Sequence, residues 1–273
     1  MEQMIKYLLK KSINSVTKEF SYLKHKPGRV LFNHLPKCAG RTMTRYLEMN
    51  YSRRVIFKLD GRQPQKSVKQ FQSMPQTMQH RFCLIAGHLA HDLLDYVHQD
   101  TITLTVFRDP IDRIISHYYF VKQNRQHYLH KQVARSKISL EDYVSSGLGE
   151  ELRNWYTIYF SGLSIKEAEM APEASVQRAF QVISEKYDIV GFQDDLSAVI
   201  QRIITAAHLT EPFQNLVQNK TSKRPKLEEV DENVKKSIAG VNFLDVKLYA
   251  LLRHAFRTGS QAPRDGRGIA VQR

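Results

Sequence analysis

Apolar positions along the chain fall into two kinds of run. Short continuous stretches at Val30–His34, Val55–Leu59, Phe82–Ala86, Ile102–Phe107 and Ile189–Phe192 predict strands buried on both faces, as in a parallel sheet. Helical periodicity between and after them predicts helices over Thr42–Met49, Leu89–Val97, Ile111–Gln126, Leu140–Ser145, Glu150–Phe160, Glu173–Glu185, Leu196–Ala207, Glu228–Ala239 and Phe243–Phe256. This alternation predicts an α/β fold, a three-layer sandwich around a central parallel sheet with right-handed crossovers. Ligands in such sheets bind at the carboxyl ends of the strands.

The remaining stretches are less regular. Gly61–Gln79 is polar, with two prolines, and reads as a loop or partly ordered insert. Residues 1–24 read as one helix with Met4, Ile5, Leu8, Leu9, Ile13 and Val16 on one side, and 258–273 as a fraying tail. No repeat and no domain boundary stand out, so 1–273 reads as a single domain.

With 273 residues and 42% apolar content the chain has material for one large core. A formal charge of +14 points to an anionic partner such as a nucleotide, a nucleic acid, a membrane surface or an acidic polysaccharide, or else to a generally basic surface. Two cysteines, Cys38 and Cys83, make no disulfide framework and fit a reducing compartment. No apolar run approaches the ~20 residues of a membrane span. Lysines interrupt any signal-peptide core near the N-terminus, so the expected location is cytoplasmic.

Two segments roughly seventy residues apart carry the candidate chemistry. Arg29-Val-Leu-Phe-Asn-His-Leu-Pro-Lys-Cys-Ala-Gly-Arg-Thr-Met43 and Thr103-Leu-Thr-Val-Phe-Arg-Asp-Pro-Ile-Asp-Arg-Ile-Ile-Ser116 each read as a strand, a tight turn with a cation, and a helix start. That arrangement turns backbone N–H groups and a positive helix end toward an anion. Two of them suggest a ligand with two phosphate groups. No Walker A sequence is present, since Lys37 precedes Gly40 rather than following a glycine. No His-Glu-x-x-His or cysteine cluster suggests a metal.

These residues resemble the cofactor loops of the sulfotransferase family, especially the branch acting on polysaccharides such as the heparan sulfate 2-O- and 6-O-sulfotransferases. The resemblance runs from about Arg29 to the helix near Phe256. It implies a P-loop NTPase-like sulfotransferase fold and 3′-phosphoadenosine-5′-phosphosulfate (PAPS) as sulfuryl donor, with no metal required. In the family a Pro-Lys loop, here Lys37, Cys38, Ala39, Gly40, Arg41 and Thr42, holds the 5′-phosphosulfate. Arg108, with Ser116 eight residues on, matches the residues that hold the 3′-phosphate.

Within this reading Lys37 stabilises charge on the leaving oxygen. Ala39 and Gly40 allow close approach of the phosphate to the backbone, and Cys38 is a small filler. Arg41 stands where the family has Ser or Thr, and either adds a guanidinium or points to solvent. His88 follows the third strand, where the polysaccharide enzymes place a base, with His91 as fallback and Asp92 a minor alternative. Arg113 faces solvent or supports the site. The run Asn154 to Gly162 resembles a family segment at the acceptor cleft, or is an amphipathic helix ended by a glycine cap. Lys220, Thr221, Ser222 and Arg224 resemble a late loop over the nucleotide.

The expected activity is therefore sulfuryl transfer to a hydroxyl, on a carbohydrate or glycan, anionic or not. Lys122, Arg125, Lys131, Arg135 and Lys137 either line its path or form a solvated face. No apolar run of the animal-type membrane anchor is seen, so the expectation is a soluble bacterial-type form, or a truncated Golgi lumenal enzyme. A nucleotide-dependent kinase and a basic nucleic-acid-binding protein are the alternatives, and nucleic acid is not the expected partner.

Overall fold

The computed structural model describes residues 25–213 and 224–256. The helix expected over 1–24, the tail at 258–273, and Lys220, Thr221 and Ser222 lie outside the described residues. Two compact units are present, one formed by residues of 25–106 and 187–213, the other by residues of 107–186 and 224–256.

The first unit is built on a five-stranded sheet of order β2-β3-β1-β4-β5. Its strands are β1 (Val30–Asn33), β2 (Ile56–Lys58), β3 (Leu84–Gly87), β4 (Ile102–Phe107) and β5 (Ile189–Phe192). β1 pairs in parallel with β3 and β4, and β2 with β3. Alternation along the strands sends side chains to opposite faces. Val30, Phe32, Leu84 and Ala86 pack with Met43 and Leu47 of α1 (Gly40–Asn50) and with Val199, Ile200 and Ile203 of the helix Leu196–Ala207. Leu31 and Ile85 enter a second cluster with Val68 and Phe71 of α2 (Pro64–Gln72) and with Leu93. Both faces are covered, so the unit has the three layers and central parallel sheet expected.

Two local expectations fail for identifiable reasons. Gly61–Gln79 is not a loop, for it holds α2 and the short α3 (Gln76–Gln79). Its polar composition masks an apolar pair, Val68 and Phe71, at helical spacing, and Pro64 sits in the first turn, where it costs no hydrogen bond. Leu89–Val97 is not a helix either. Leu89 is left-handed (φ 62°), and only a 3₁₀ turn, Ala90–Leu93, follows. The His91 N–H donates to Asn33 Oδ1 at 3.3 Å, a side-chain bond that competes with helix formation. Leu89, Leu93, Leu94 and Val97 still pack into the second cluster, which explains their periodicity.

The second unit is helical. Its helices are α4 (Pro110–Gln123), α5 (Leu140–Ser145), α6 (Trp155–Ser161), α7 (Ile165–Met170), α8 (Pro172–Lys186), then, after α9 (Leu196–Ala207) of the first unit, α10 (Glu232–Val241) and α11 (Phe243–Phe256). Ile114, Ile115, Tyr118 and Val121 of α4 form its core with Tyr143, Val144, Leu152 and Ile238. The helix expected over Glu150–Phe160 is broken at Asn154, which adopts φ 48°, a conformation asparagine tolerates better than most residues. Among the described residues no helix is long and apolar enough to cross a membrane.

Candidate active site

In the sheet unit the site begins with strand register. Asn33 of β1 pairs with Gly87 of β3, and the His34 N–H donates to the Gly87 carbonyl at 3.0 Å. The next residues, His34 and His88, are thereby brought side by side, and their rings stack with centroids 4.2 Å apart. His88 Nδ1 lies 2.6 Å from the His34 carbonyl oxygen. A carbonyl only accepts, so Nδ1 carries the proton and Nε2 keeps its lone pair. Burial lowers the pKa of His88, opposed by that hydrogen bond. Burial, reinforced by the charges of His88, Arg41, Lys37 and Lys58, holds His34 well below the usual histidine range. Both rings are neutral at neutral pH, and His88 Nε2 has the form a general base needs.

The loop after β1 is bent by two left-handed residues that are not glycine, Lys37 (φ 67°) and Ala39 (φ 59°). Such conformations cost about 1–3 kcal/mol each and persist where the surroundings impose them. Cys38 between them is 1% exposed, and its thiol reaches the Pro36 carbonyl at 3.4 Å, as suits a filler. Ala39 caps α1 without any side-chain hydrogen bond, and no acidic residue occupies the first turn. This helix start therefore has no carboxylate of its own competing for an anion.

Gly40 also has a role that its place in the motif does not suggest. A Cβ there would lie 1.6 Å from His34 Cδ2, so the glycine makes room for the His34 ring. Arg41 is exposed and Thr42 partly buried in the first turn of α1.

His91 is not beside His88 on a helix. Its Nδ1 lies 2.9 Å from the Tyr187 hydroxyl, which also receives Asn33 Nδ2 at 2.9 Å. With Asn33 donating, the Tyr187 proton goes to His91 Nδ1, which makes His91 part of a buried network under the strand ends. Asp92 lies on the 3₁₀ turn, where desolvation raises its pKa.

In the helical unit the second segment works through side chains. The Asp109 carboxylate accepts from the Ile111 and Asp112 N–H groups at 2.9 and 3.0 Å, and Pro110 opens α4. The cap expected to be left for a ligand is thus filled by the protein itself. Cationic groups gather one turn on. Arg108 Nε meets Asp112 Oδ2 at 2.5 Å, while Arg224 pairs with the other oxygen of Asp112. Burial, with the charge of Arg108, brings the Arg224 pKa down to about 10. Two guanidiniums on one carboxylate leave an excess positive charge. Ser116 is 3% exposed, two turns into α4.

Arg113 neither faces solvent nor reaches this cluster. It is fully buried, with its guanidinium 4.9 Å from the Tyr156 ring and 3.8 Å from Asp245. Asp245 accepts from the Tyr156 N–H, the Thr157 N–H and the Thr157 hydroxyl at 2.8–3.0 Å, capping α6. Asn154 is likewise buried, bonded to Asn242, Glu169 and Leu244. One side of the Asn154–Ser161 stretch is therefore a polar joint inside the unit, Trp155, Ile158 and Tyr159 are partly buried, and Gly162 ends the helix with the expected left-handed cap. Lys122, Arg125, Lys131 and Lys137 are exposed.

Sequence reasoning missed His34, whose place depends on register, and Asp112, whose spacing from Arg108 suggests only a surface ion pair. It also missed His117, His127 and Glu151, whose ligand atoms all lie within 4.8 Å of one another.

No curated protein matches the chain. A protein-family model described as "Sulfotransferase family" matches residues 22–251. That span contains the Lys37 loop, the His34–His88 pair and the Arg108–Asp112–Arg224 cluster, and on it the chain belongs to the sulfotransferase family, whose reaction is sulfuryl transfer.

Proposed function

We propose that this protein transfers a sulfuryl group from PAPS to a hydroxyl of a carbohydrate, with His88 as base and Lys37 at the leaving oxygen. The observation that carries the reading is the bond between His88 Nδ1 and the His34 carbonyl, which leaves Nε2 as a lone pair on a neutral ring. The donor supplies an activated sulfuryl group on its 5′-phosphate. His88 Nε2 takes the acceptor hydroxyl proton as the new O–S bond forms. Lys37 meets the charge that collects on the bridging oxygen as the old S–O bond breaks.

The residues present suit such a donor. The uncapped start of α1 and the bent Lys37–Ala39 loop, with Gly40, Arg41 and Thr42, match a 5′-phosphosulfate cradle. Arg108, Arg224 and Ser116 match a 3′-phosphate site, with Lys220 and Thr221 as further donor contacts. The two units act as one sulfotransferase domain in this proposal, which the family match running through both supports. A glycan acceptor is favoured by the histidine after the third strand and by the net charge of +14.

Calorimetry with adenosine 3′,5′-bisphosphate against ATP and AMP, without magnesium, tests the donor class. Selective binding of the bisphosphate, weakened in Arg108→Ala, is expected, and preference for ATP with magnesium overturns it. Radiolabelled transfer to a polysaccharide panel then tests the acceptor. In that assay Lys37→Ala lowers kcat by about 10²–10³-fold, the range for losing one stabiliser of developing charge.

A further inference from the structure

We propose that His117, His127 and Glu151 form a binding site for one divalent transition cation of the zinc class, with a fourth position open to water. The site lies within the helical unit. His117 is on α4, one residue after Ser116. His127 is on the loop that follows, and Glu151 is on the 3₁₀ turn Glu150–Leu152.

The geometry approaches what zinc requires. Tetrahedral coordination with bonds of about 2.0–2.1 Å places neighbouring ligand atoms about 3.3 Å apart. His117 Nε2 and Glu151 Oε1 are 3.5 Å apart, and every pair in the trio is within 4.8 Å. The ligand types, two imidazoles and a carboxylate, are those of an open zinc site. The His117 and His127 rings meet edge to face, with centroids 5.4 Å apart.

Support around the ligands is also in place. A metal-bound histidine holds its other nitrogen in an outward hydrogen bond, which fixes tautomer and orientation. His117 Nδ1 lies 2.8 Å from the Tyr143 hydroxyl, and Tyr143 is fully buried. The Glu151 carboxylate is held by the Tyr128 hydroxyl at 2.7 Å. Gly149 leaves it room, since a Cβ there would come within 3.0 Å of Glu151 Oε2. His127 accepts from the Leu129 N–H at Nδ1 over 3.2 Å. When the metal arrives His127 must give up that contact, either by moving its proton from Nε2 to Nδ1 so that Nε2 ligates, or by ligating through Nδ1 itself. A bound ion would tie α4, next to Ser116, to the following loop and the 3₁₀ turn.

The test uses the full chain, stripped with a chelator and titrated with cobalt(II). Absorption bands of tetrahedral intensity that saturate at one equivalent and are abolished by zinc are expected, as is a rise in Tm with zinc. Glu151→Gln and His127→Gln should each weaken binding by at least about tenfold, the scale on which perturbing a metal shell acts. His80→Gln removes a ring from the separate His80–His98 pair and should leave the titration unchanged. Absence of saturable bands refutes the site, as does a one-equivalent titration unaffected by Glu151→Gln and His127→Gln. No sulfuryl donor enters the experiment, so its outcome is independent of the proposed activity.

Discussion

Gly40→Ala is the sharpest perturbation of the candidate site. The new Cβ would sit 1.6 Å from His34 Cδ2 and 1.7 Å from Nε2. Ordinary contact begins at 3.4 Å, so the ring must retreat by about 1.8 Å. It stacks on His88 at 4.2 Å and Phe32 at 5.8 Å, which leaves little room to do so. Overpacking of this kind costs about 1–3 kcal/mol, partly offset by roughly 0.5–1 kcal/mol from replacing a helical glycine. The net is a cost of up to about 2.5 kcal/mol, a fall in Tm of up to roughly 10 °C for a protein of this size. The displaced ring also disturbs His88, so kcat should fall more than donor affinity. Thermal unfolding, calorimetry with the bisphosphate and turnover would be measured on Gly40→Ala, His34→Ala and the double variant. If Gly40 serves His34, adding His34→Ala to Gly40→Ala restores the lost stability, since the two changes share one space. A double variant no more stable than Gly40→Ala, with bisphosphate affinity lost in both, would refute the packing role and leave Gly40 with contact to the phosphate alone.

His88→Asn should lower kcat by about 10²–10⁴-fold, the range for losing a general base, while leaving bisphosphate binding nearly intact; equal losses in both would contradict its role. Because burial depresses the pKa of His88, the base stays neutral until the pH falls below the usual histidine value of about 6.5. The acid limb of kcat against pH should therefore lie below 6.5, and a limb at or above it would count against His88. The depressed pKa values of His34 and His88 also mean that the unfolded chain binds more protons just below that pH. Stability should then decline as pH falls from about 6.5 toward the folded values, and Tm measured in that window should fall less in His34→Ala. Arg224→Met should weaken bisphosphate binding by roughly tenfold to a hundredfold, as removal of a charged hydrogen bond would, and should reduce its salt dependence; unchanged affinity would exclude Arg224 from the site. Asp245→Asn strips the buried Arg113 of its only nearby carboxylate among the described residues, and should cost about 3–5 kcal/mol in chemical denaturation, against which a loss under about 1 kcal/mol would argue.

Much of the sheet was legible because its strands are continuous apolar runs with no competing reading, and β4 and β5 fall where the pattern puts them. Helices governed by side-chain hydrogen bonds were not. Asn33 takes the His91 N–H, and Asp245 starts α6 from a helix nearly ninety residues away, so no local window contains the cause. The same holds for the site. Lys37 and Arg108 stand in recognisable local motifs, whereas His34 acquires meaning only when β1 and β3 pair in register. Asp112 does so only when a distant segment delivers Arg224. His117, His127 and Glu151 follow no motif spacing, since a helix, a loop and a 3₁₀ turn each contribute one.

The two segments proposed to bind anions look alike in sequence and differ in physics. At Lys37 the binding potential resides in the backbone, in a loop bent through two left-handed residues and a helix start with no cap of its own. At Arg108 the helix start is already satisfied by Asp109, and the potential resides in two guanidiniums held by one carboxylate. Backbone dipoles are fixed in place and need no reorganisation as charge develops, which suits the end of a ligand where a bond breaks. Guanidiniums give strong, bidentate and salt-sensitive attraction, which suits an end that is only held. The division matches a reaction in which one phosphate bears the leaving charge and the other serves for recognition. In the proposed reaction the two left-handed residues of the Lys37–Ala39 loop would hold the backbone preorganised where the transition state differs from the bound substrate.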